Sequence, residues 1–168
     1  MNSVLQAWNQ ADEAAALEAM LECCGSKRWA TAMVNQRPIG SVLQISEVAD
    51  RIWGAMQEPD WLEAFACHPR IGERKTSAAG QSAAWSKQEQ SKTSTASERV
   101  LTELAGGNLL YEQRFGFTYI VCATGKSAEE MLAILNRRLA SERGNELHEA
   151  AEQQRQIMQI RLGKWLVE

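Results

Sequence analysis

The chain holds only two histidines, His68 and His148, and the first stands where chemistry is easiest to build. Pro69 follows it directly, and a proline biases the preceding residue away from helix. His68 therefore closes an apolar helical run, with its ring at a helix end and a glycine-containing turn, Arg70-Ile71-Gly72, ahead of it. Imidazole titrates near neutrality and is the natural general acid or base. The plainer alternative is a capping or partly buried histidine with a structural hydrogen bond.

A second candidate is Ser86-Lys87-Gln88-Glu89-Gln90, beside Trp85. On a helical turn Ser86, Glu89 and Gln90 lie three and four apart and share a face. Together they would make a hydrogen-bonding platform for a urea-like ligand, or merely a solvated helix surface. Arg161 is the third. In the last helical stretch Leu147, Ala150, Ala151, Met158, Leu162 and Trp165 define an apolar face, and Arg161 falls inside it. A buried guanidinium demands an anion, supplied either by a protein carboxylate or by a ligand. Arg114 poses the same question more weakly. Gly125-Lys126-Ser127 resembles the end of a phosphate-binding loop, but the motif's first glycine would fall at Ile120, so nucleotide binding is rejected.

Composition narrows the field. The chain has 168 residues, 45% hydrophobic and 23% charged, with a formal net charge of -3, which suits one globular domain over residues 1–168. Lysine and arginine form no basic stripe of the sort nucleic acid requires. No apolar run reaches the roughly 20 residues of a membrane span. Met1-Asn2-Ser3-Val4 does not read as a signal peptide, and Trp165-Leu166-Val167-Glu168 is not a peroxisomal address, so a soluble, cytoplasmic protein is expected. Cys23, Cys24, Cys67 and Cys122 lack both zinc-site spacing and an export signal, so thiols are expected rather than disulfides or a metal.

The elements that must position these groups read almost entirely as helix. Residues 11–24 carry helical spacing that stops at Gly25, and a short helix covers 26–35. Ser41 caps a helix with a stripe of Ile45, Val48, Ala49, Ile52, Trp53 and Met56. Asp60 is expected to cap the next, with Trp61, Leu62 and Phe65 inward. From Gly72 to about Thr95 the residues are mostly Ser, Ala, Gln, Lys and Gly, and a long loop or loose helical excursion is expected. Residues 98–105 return to helical spacing, Gly106-Gly107 is expected to break it, and 108–115 form another short helix. Residues 117–123 would pass for a buried strand, but nothing pairs with them, so they are read as extended chain in the core or the start of a helix. Ser127-Ala128-Glu129-Glu130 is a capping box, and a last helix runs from about 146 to 166. The fold class is an all-α, single-domain bundle of about seven to nine helices.

Taken in order, these segments resemble one family, the OHCU (2-oxo-4-hydroxy-4-carboxy-5-ureidoimidazoline) decarboxylases. The matching stretches are Cys23-Cys24-Gly25-Ser26 with Arg28-Trp29, Asp60 to Phe65, His68-Pro69-Arg70-Ile71-Gly72, and Trp85-Ser86 with Glu89-Gln90. Tyr111 to Phe117, Ile120 to Met131 and Ile160-Arg161-Leu162 complete the set. The resemblance implies an all-α, commonly dimeric carboxy-lyase without metal or organic cofactor, acting in urate and purine breakdown to give (S)-allantoin and carbon dioxide. By position it makes His68 the catalytic histidine and Glu89 its acidic partner. Pro69, Ser86, Gln90, Phe117 and the stretch Ile120, Val121, Cys122 and Ala123 become substrate contacts, the last four largely through backbone. Arg161 joins the substrate-binding set from its place on the helical wheel. Two other readings stay open on the residues alone: a hydrolase acting on a related ureide, and a helical interaction module without catalysis.

Overall fold

The computed structural model describes residues 1–72, 81–92 and 97–168. Among these, nine helices and no strand are found: α1 Ser3–Gln10, α2 Glu13–Cys23, α3 Lys27–Val34, α4 Val42–Gly54, α5 Glu58–Ala66, α6 Gln81–Glu89, α7 Glu98–Phe115, α8 Ala128–Arg138 and α9 Arg143–Trp165. The all-α class expected from the sequence holds. The four cysteines are thiols rather than disulfides, and no described helix is long and apolar enough to cross a membrane. The chain divides into two compact units, residues 1–64 with 155–168, and residues 65–154. The divisions fall inside α5 and inside α9.

In the first unit the helix starts are written locally. Asn2, Asp12, Ser26 and Ser41 each accept a hydrogen bond from the amide three residues on, at α1, α2, α3 and α4 respectively, which satisfies one otherwise orphaned donor per helix. The expected stripe of α4 is buried from Ile45 to Trp53. Two tryptophans sink into this core and still place their indole N–H groups: Trp8 donates to the Ala16 carbonyl at 3.0 Å and Trp29 to the Ala49 carbonyl at 3.1 Å. The last part of α9 joins the same unit through Arg155 and Gln159, which meet Asp50, and through an edge contact of Trp165 with Trp8 at 6.0 Å.

Three expectations need correction here. The helix expected over 11–24 stands as α2, but residues 3–10, for which no helix is expected, form α1, and Asp12 restarts the chain as α2. Asp60 does not cap α5, because the helix starts at Glu58. Proline in a first turn forfeits no intrahelical bond, so Pro59 permits the earlier start. The Asp60 carboxylate instead reaches back to the Gln57 amide at 3.1 Å.

The third correction lies in the second unit. Gly106-Gly107 does not break a helix, since α7 runs unbroken for 18 residues and stops at Gly116, whose φ of +81° suits glycine at a C-terminal cap. Packing overrides the local signal at Gly107. A Cβ built there would sit 2.6 Å from Leu135 Cδ2 and 3.3 Å from its Cγ, whereas one at Gly106 would meet nothing within 4 Å. Gly107 thus lets α7 approach α8. A paired experiment follows. Gly106→Ala should stabilise by about 0.5–1 kcal/mol through helix propensity. Gly107→Ala should lose that gain to overpacking worth about 1–3 kcal/mol. Equal urea midpoints for the two variants would contradict the packing role.

The core of the second unit is an aromatic cluster in which Phe65, Tyr111, Phe115, Phe117 and Tyr119 stand with neighbouring ring centroids 4.7–6.3 Å apart. Residues 117–123 form neither helix nor strand and, Thr118 apart, are buried. That is the core-packed chain expected from a β-rich composition with no pairing strand. Ser127 caps α8 as anticipated, its hydroxyl oxygen accepting from the Glu130 amide at 3.2 Å.

Candidate active site

The expectation of a loop or loose helix over 72–95 resolves in part into α6; residues 73–80 and 93–96 of that stretch lie outside the described residues. The helix has scarcely any amphipathic pattern because its buried face is Trp85, Ser86 and Glu89. Ser86 is 6% exposed and Glu89 8%. A serine and a carboxylate have therefore been taken out of water together on one turn, which is costly without polar partners. Gln90, just past the helix, is partly buried.

His68 lies two residues past α5, its backbone amide donating to the Phe65 carbonyl at 3.2 Å. The loop that carries it is fixed to three helices. His68 Nε2 stands 2.7 Å from Gln154 Oε1 on α9. Arg70 donates two bonds to the Glu112 carboxylate on α7, at 2.7 and 2.9 Å. Asn108, also on α7, donates to the Ile71 carbonyl at 2.8 Å, and the Gly72 amide donates to Gln90 Oε1 at 3.0 Å. Gln90 thus ties the end of α6, with its buried Glu89, to the His68 loop. Pro69, partly buried, lies within this loop.

The stretch from Ile120 to Ala123 is fixed as firmly. Arg138 donates to the Ile120 carbonyl at 2.5 Å, Gln153 Oε1 accepts from the Cys122 amide at 2.8 Å, and Lys126 Nζ donates to the Cys122 carbonyl at 2.7 Å. Burial raises the Cys122 thiol above its usual range; Lys126 and Thr124 oppose this, and the charge of Glu89 adds to it. Glu89 and Cys122 are therefore electrostatic neighbours. Consecutive residues of α9, Gln153 and Gln154, hold this stretch and His68.

Beneath it lies a buried ion pair. Arg138 and Glu146 are each 1% exposed, and Arg138 meets Glu146 through its Nε. Tyr111 donates to the same carboxylate at 2.5 Å, and Arg138 also donates to the Tyr111 oxygen at 3.3 Å. Burial pulls the guanidinium's pKa down, but the hydrogen bond and charge of Glu146, with the two tyrosines, outweigh it and hold Arg138 cationic. The phenols of Tyr111 and Tyr119 are pushed up, chiefly by burial, with Arg138 opposing. The folded chain thus keeps phenolic protons that an unfolded chain releases near pH 10. Their stabilisation is complete below pH 10 and falls above it, by about 1.4 kcal/mol per pH unit for each tyrosine. Urea midpoints should drop between pH 10 and pH 11, and less so in Tyr119→Phe.

Of the predicted site residues, His68, Pro69, Ser86, Glu89, Gln90, Phe117 and Ile120 to Ala123 all fall in the second unit. Arg161 belongs to the first, 3% exposed as the helical wheel anticipated, with its charge acting on the buried Cys23 thiol. Arg114 is exposed and donates to the Ser141 carbonyl at 2.9 Å. A cavity of about 340 Å³ is lined by Arg70, Ile71, Gly72, Leu101, Ala105, Asn108 and Leu109; among these described residues none titrates near neutrality, which makes it a poor place for proton transfer. No three His, Cys, Asp or Glu side chains group as a metal site among the described residues. Sequence reasoning missed Gln153, Gln154, Arg138 and Glu146. A signal existed for Gln154: it fills the one-turn gap between Ala150 and Met158 in the apolar face of α9.

The chain is similar to known proteins over most of its length. Residues 9–163 match the family model described as OHCU decarboxylase. The chain is 38% identical over 144 residues to the Uric acid degradation bifunctional protein TTL of Arabidopsis thaliana, covering 84% of this chain and 44% of that protein. It thus spans less than half the length of this curated relative. A crystal structure of OHCU decarboxylase in the presence of (S)-allantoin superposes with a TM-score of 0.77 at 34% identity, covering 88% of this chain and 96% of the other. A crystal structure of (S)-allantoin synthase matches with a TM-score of 0.71 at 17% identity, covering 96% of this chain and 53% of that one, a likeness of fold.

Proposed function

This chain belongs to the OHCU decarboxylase family, and from that premise we propose that it converts OHCU to (S)-allantoin and carbon dioxide by acid–base catalysis without a cofactor. The observation that carries the reading is the tie between His68 and α6: the loop bearing the histidine is fastened by Gln90 to the helix that buries Ser86 and Glu89.

The substrate's chemistry fits these groups. One ring carbon bears a carboxylate and a hydroxyl, and the next is doubly bonded to nitrogen and carries the ureido group. When the bond to the carboxylate breaks, its electron pair becomes a carbon–carbon double bond and the C=N pair moves onto nitrogen, which takes a proton. The hydroxyl then gives up its proton as the ring carbonyl forms, and the neighbouring carbon is protonated on one face. The substrate is its own electron sink, so the protein's task is to orient the carboxylate and move protons. His68 carries the proton transfer, with Glu89 orienting it or sharing the proton path. Pro69, Ser86 and Gln90 shape and bind ring and ureido polar atoms, and Phe117 closes an apolar wall. Backbone groups from Ile120 to Ala123 select the face. Since Gln153 occupies the Cys122 amide, that donor serves the segment's position rather than the substrate. Arg161 keeps both readings of its helical-wheel position, a protein carboxylate or the substrate's.

The family match over residues 9–163 supports one catalytic domain. A homodimer fits the resemblance and two consecutive exposed leucines on α7, Leu109 and Leu110; light scattering at micromolar concentration tests it. A cytoplasmic setting is the proposed location. The activity itself is tested by carbon dioxide release from freshly generated OHCU, with and without the purified protein. Release well above the spontaneous rate supports the reading. Consumption of a ureide without added carbon dioxide would point to a hydrolase, and no effect would leave a binding module.

A further inference from the structure

Gln154 is wholly buried on the apolar face of α9, its Oε1 2.7 Å from His68 Nε2 and its amide nitrogen without a hydrogen-bond partner among the described residues. Buried polar groups are nearly always paired, so packing alone does not account for a glutamine between Ala150 and Met158. We infer that Gln154 is a positioning residue that sets the tautomer of His68. Its carbonyl oxygen accepts from Nε2–H, so the neutral imidazole keeps that proton and presents Nδ1 as the nitrogen that takes and returns a proton.

The chemistry favours this orientation of the amide. A carbonyl oxygen accepts from Nε2–H in both neutral imidazole and imidazolium, so the contact survives a catalytic cycle in which His68 gains and loses a proton. An amide N–H pointed at the ring would need a bare Nε2 and would lose its acceptor whenever His68 became cationic. With the oxygen on the ring, the amide's own hydrogens form a buried donor pair beside the imidazole, suited to a carbonyl or carboxylate oxygen of a bound molecule. The rest of the helix serves the same end, for Gln153 holds the Cys122 amide one residue earlier.

The inference rests on His68 as the proton-transfer residue, and its test has a readout independent of turnover. With only two histidines in the chain, protein labelled with ¹⁵N-histidine gives two ring systems, and His148→Gln identifies which is His68's. In the unsubstituted protein at a pH where the ring is neutral, His68 should carry its proton on Nε2 and show a bare Nδ1. Gln154→Met, which keeps the volume and removes the amide oxygen, should shift the ring toward the other tautomer. It should also lower kcat by roughly 10- to 100-fold, part of the 10²–10⁴ that acid–base help supplies, with little change in KM. Gln154→Glu keeps an acceptor at Nε2 and should keep the tautomer. A proton on Nδ1 in the unsubstituted protein overturns the inference. So does a Gln154→Met variant in which either the tautomer or kcat stays as it was. Should Gln154→Met fail to fold, the spectrum of the unsubstituted protein and that of Gln154→Glu still decide. A protein with the expected tautomer but no decarboxylation would remove the functional reading instead.

Discussion

His68→Gln should lower kcat/KM for OHCU by about 10²–10⁴, or about 2.7–5.5 kcal/mol of transition-state stabilisation, the usual worth of a positioned acid or base. Glutamine is close to histidine in reach and can still bond to Gln154, so the loop fixed by Arg70, Asn108 and Gln90 should keep its shape. Thermal unfolding should accordingly move little. Glutamine cannot take up a proton near neutrality. Turnover should therefore fall toward the spontaneous rate, and the allantoin that does form should lose its handedness. Unchanged kinetics in a folded variant would mean that the ring only caps α5, the plainer of the two readings that the sequence allowed for it.

The largest effect on stability should come from Glu146→Leu. Removing one partner of a fully buried ion pair leaves an uncompensated charge, at a cost of about 3–5 kcal/mol. Arg138 here would lose Glu146 while still surrounded by Tyr111 and Tyr119, its carbon Cζ 5.0 Å above the ring of the latter. Whole domains are stable by only about 5–15 kcal/mol, so a loss of this size is readily read in a urea titration. Adding Arg138→Met to Glu146→Leu should restore part of it, because no charge is then stranded. Recovery should be incomplete, since the Ile120 carbonyl and the Tyr111 hydroxyl each lose a partner, at about 1–3 kcal/mol per buried group. The double variant should also bind substrate less well, because Arg138 anchors the start of the Ile120 to Ala123 stretch. A single Glu146→Leu variant as stable as the parent would contradict the buried pair.

These two sites differ in how well the sequence announced them. His68 and the α6 residues are signalled by neighbours: a proline, a glycine turn, and polar side chains beside a lone tryptophan. Ser41 and Ser127 were likewise legible, because capping is decided within three residues. The helix α6 was not, since helical periodicity is read from apolar residues and its buried face is largely polar. Gly106-Gly107 misled because glycine is a local helix breaker on average, whereas Gly107 here answers to Leu135 in another helix. Arg138 with Glu146, and His68 with Gln154, escaped for the same reason. Each looks like an ordinary polar residue until its partner, 8 or 86 positions away, is brought to it by the fold. The polar interruptions in the apolar faces of α8 and α9 were the only local trace of either.

The most direct test of the central claim is the circular dichroism of allantoin formed from freshly generated OHCU, followed with and without the purified protein. A one-signed signal that grows faster than spontaneous decay, and is abolished in His68→Gln, is the predicted result. Decay at the spontaneous rate to an optically silent product would contradict it.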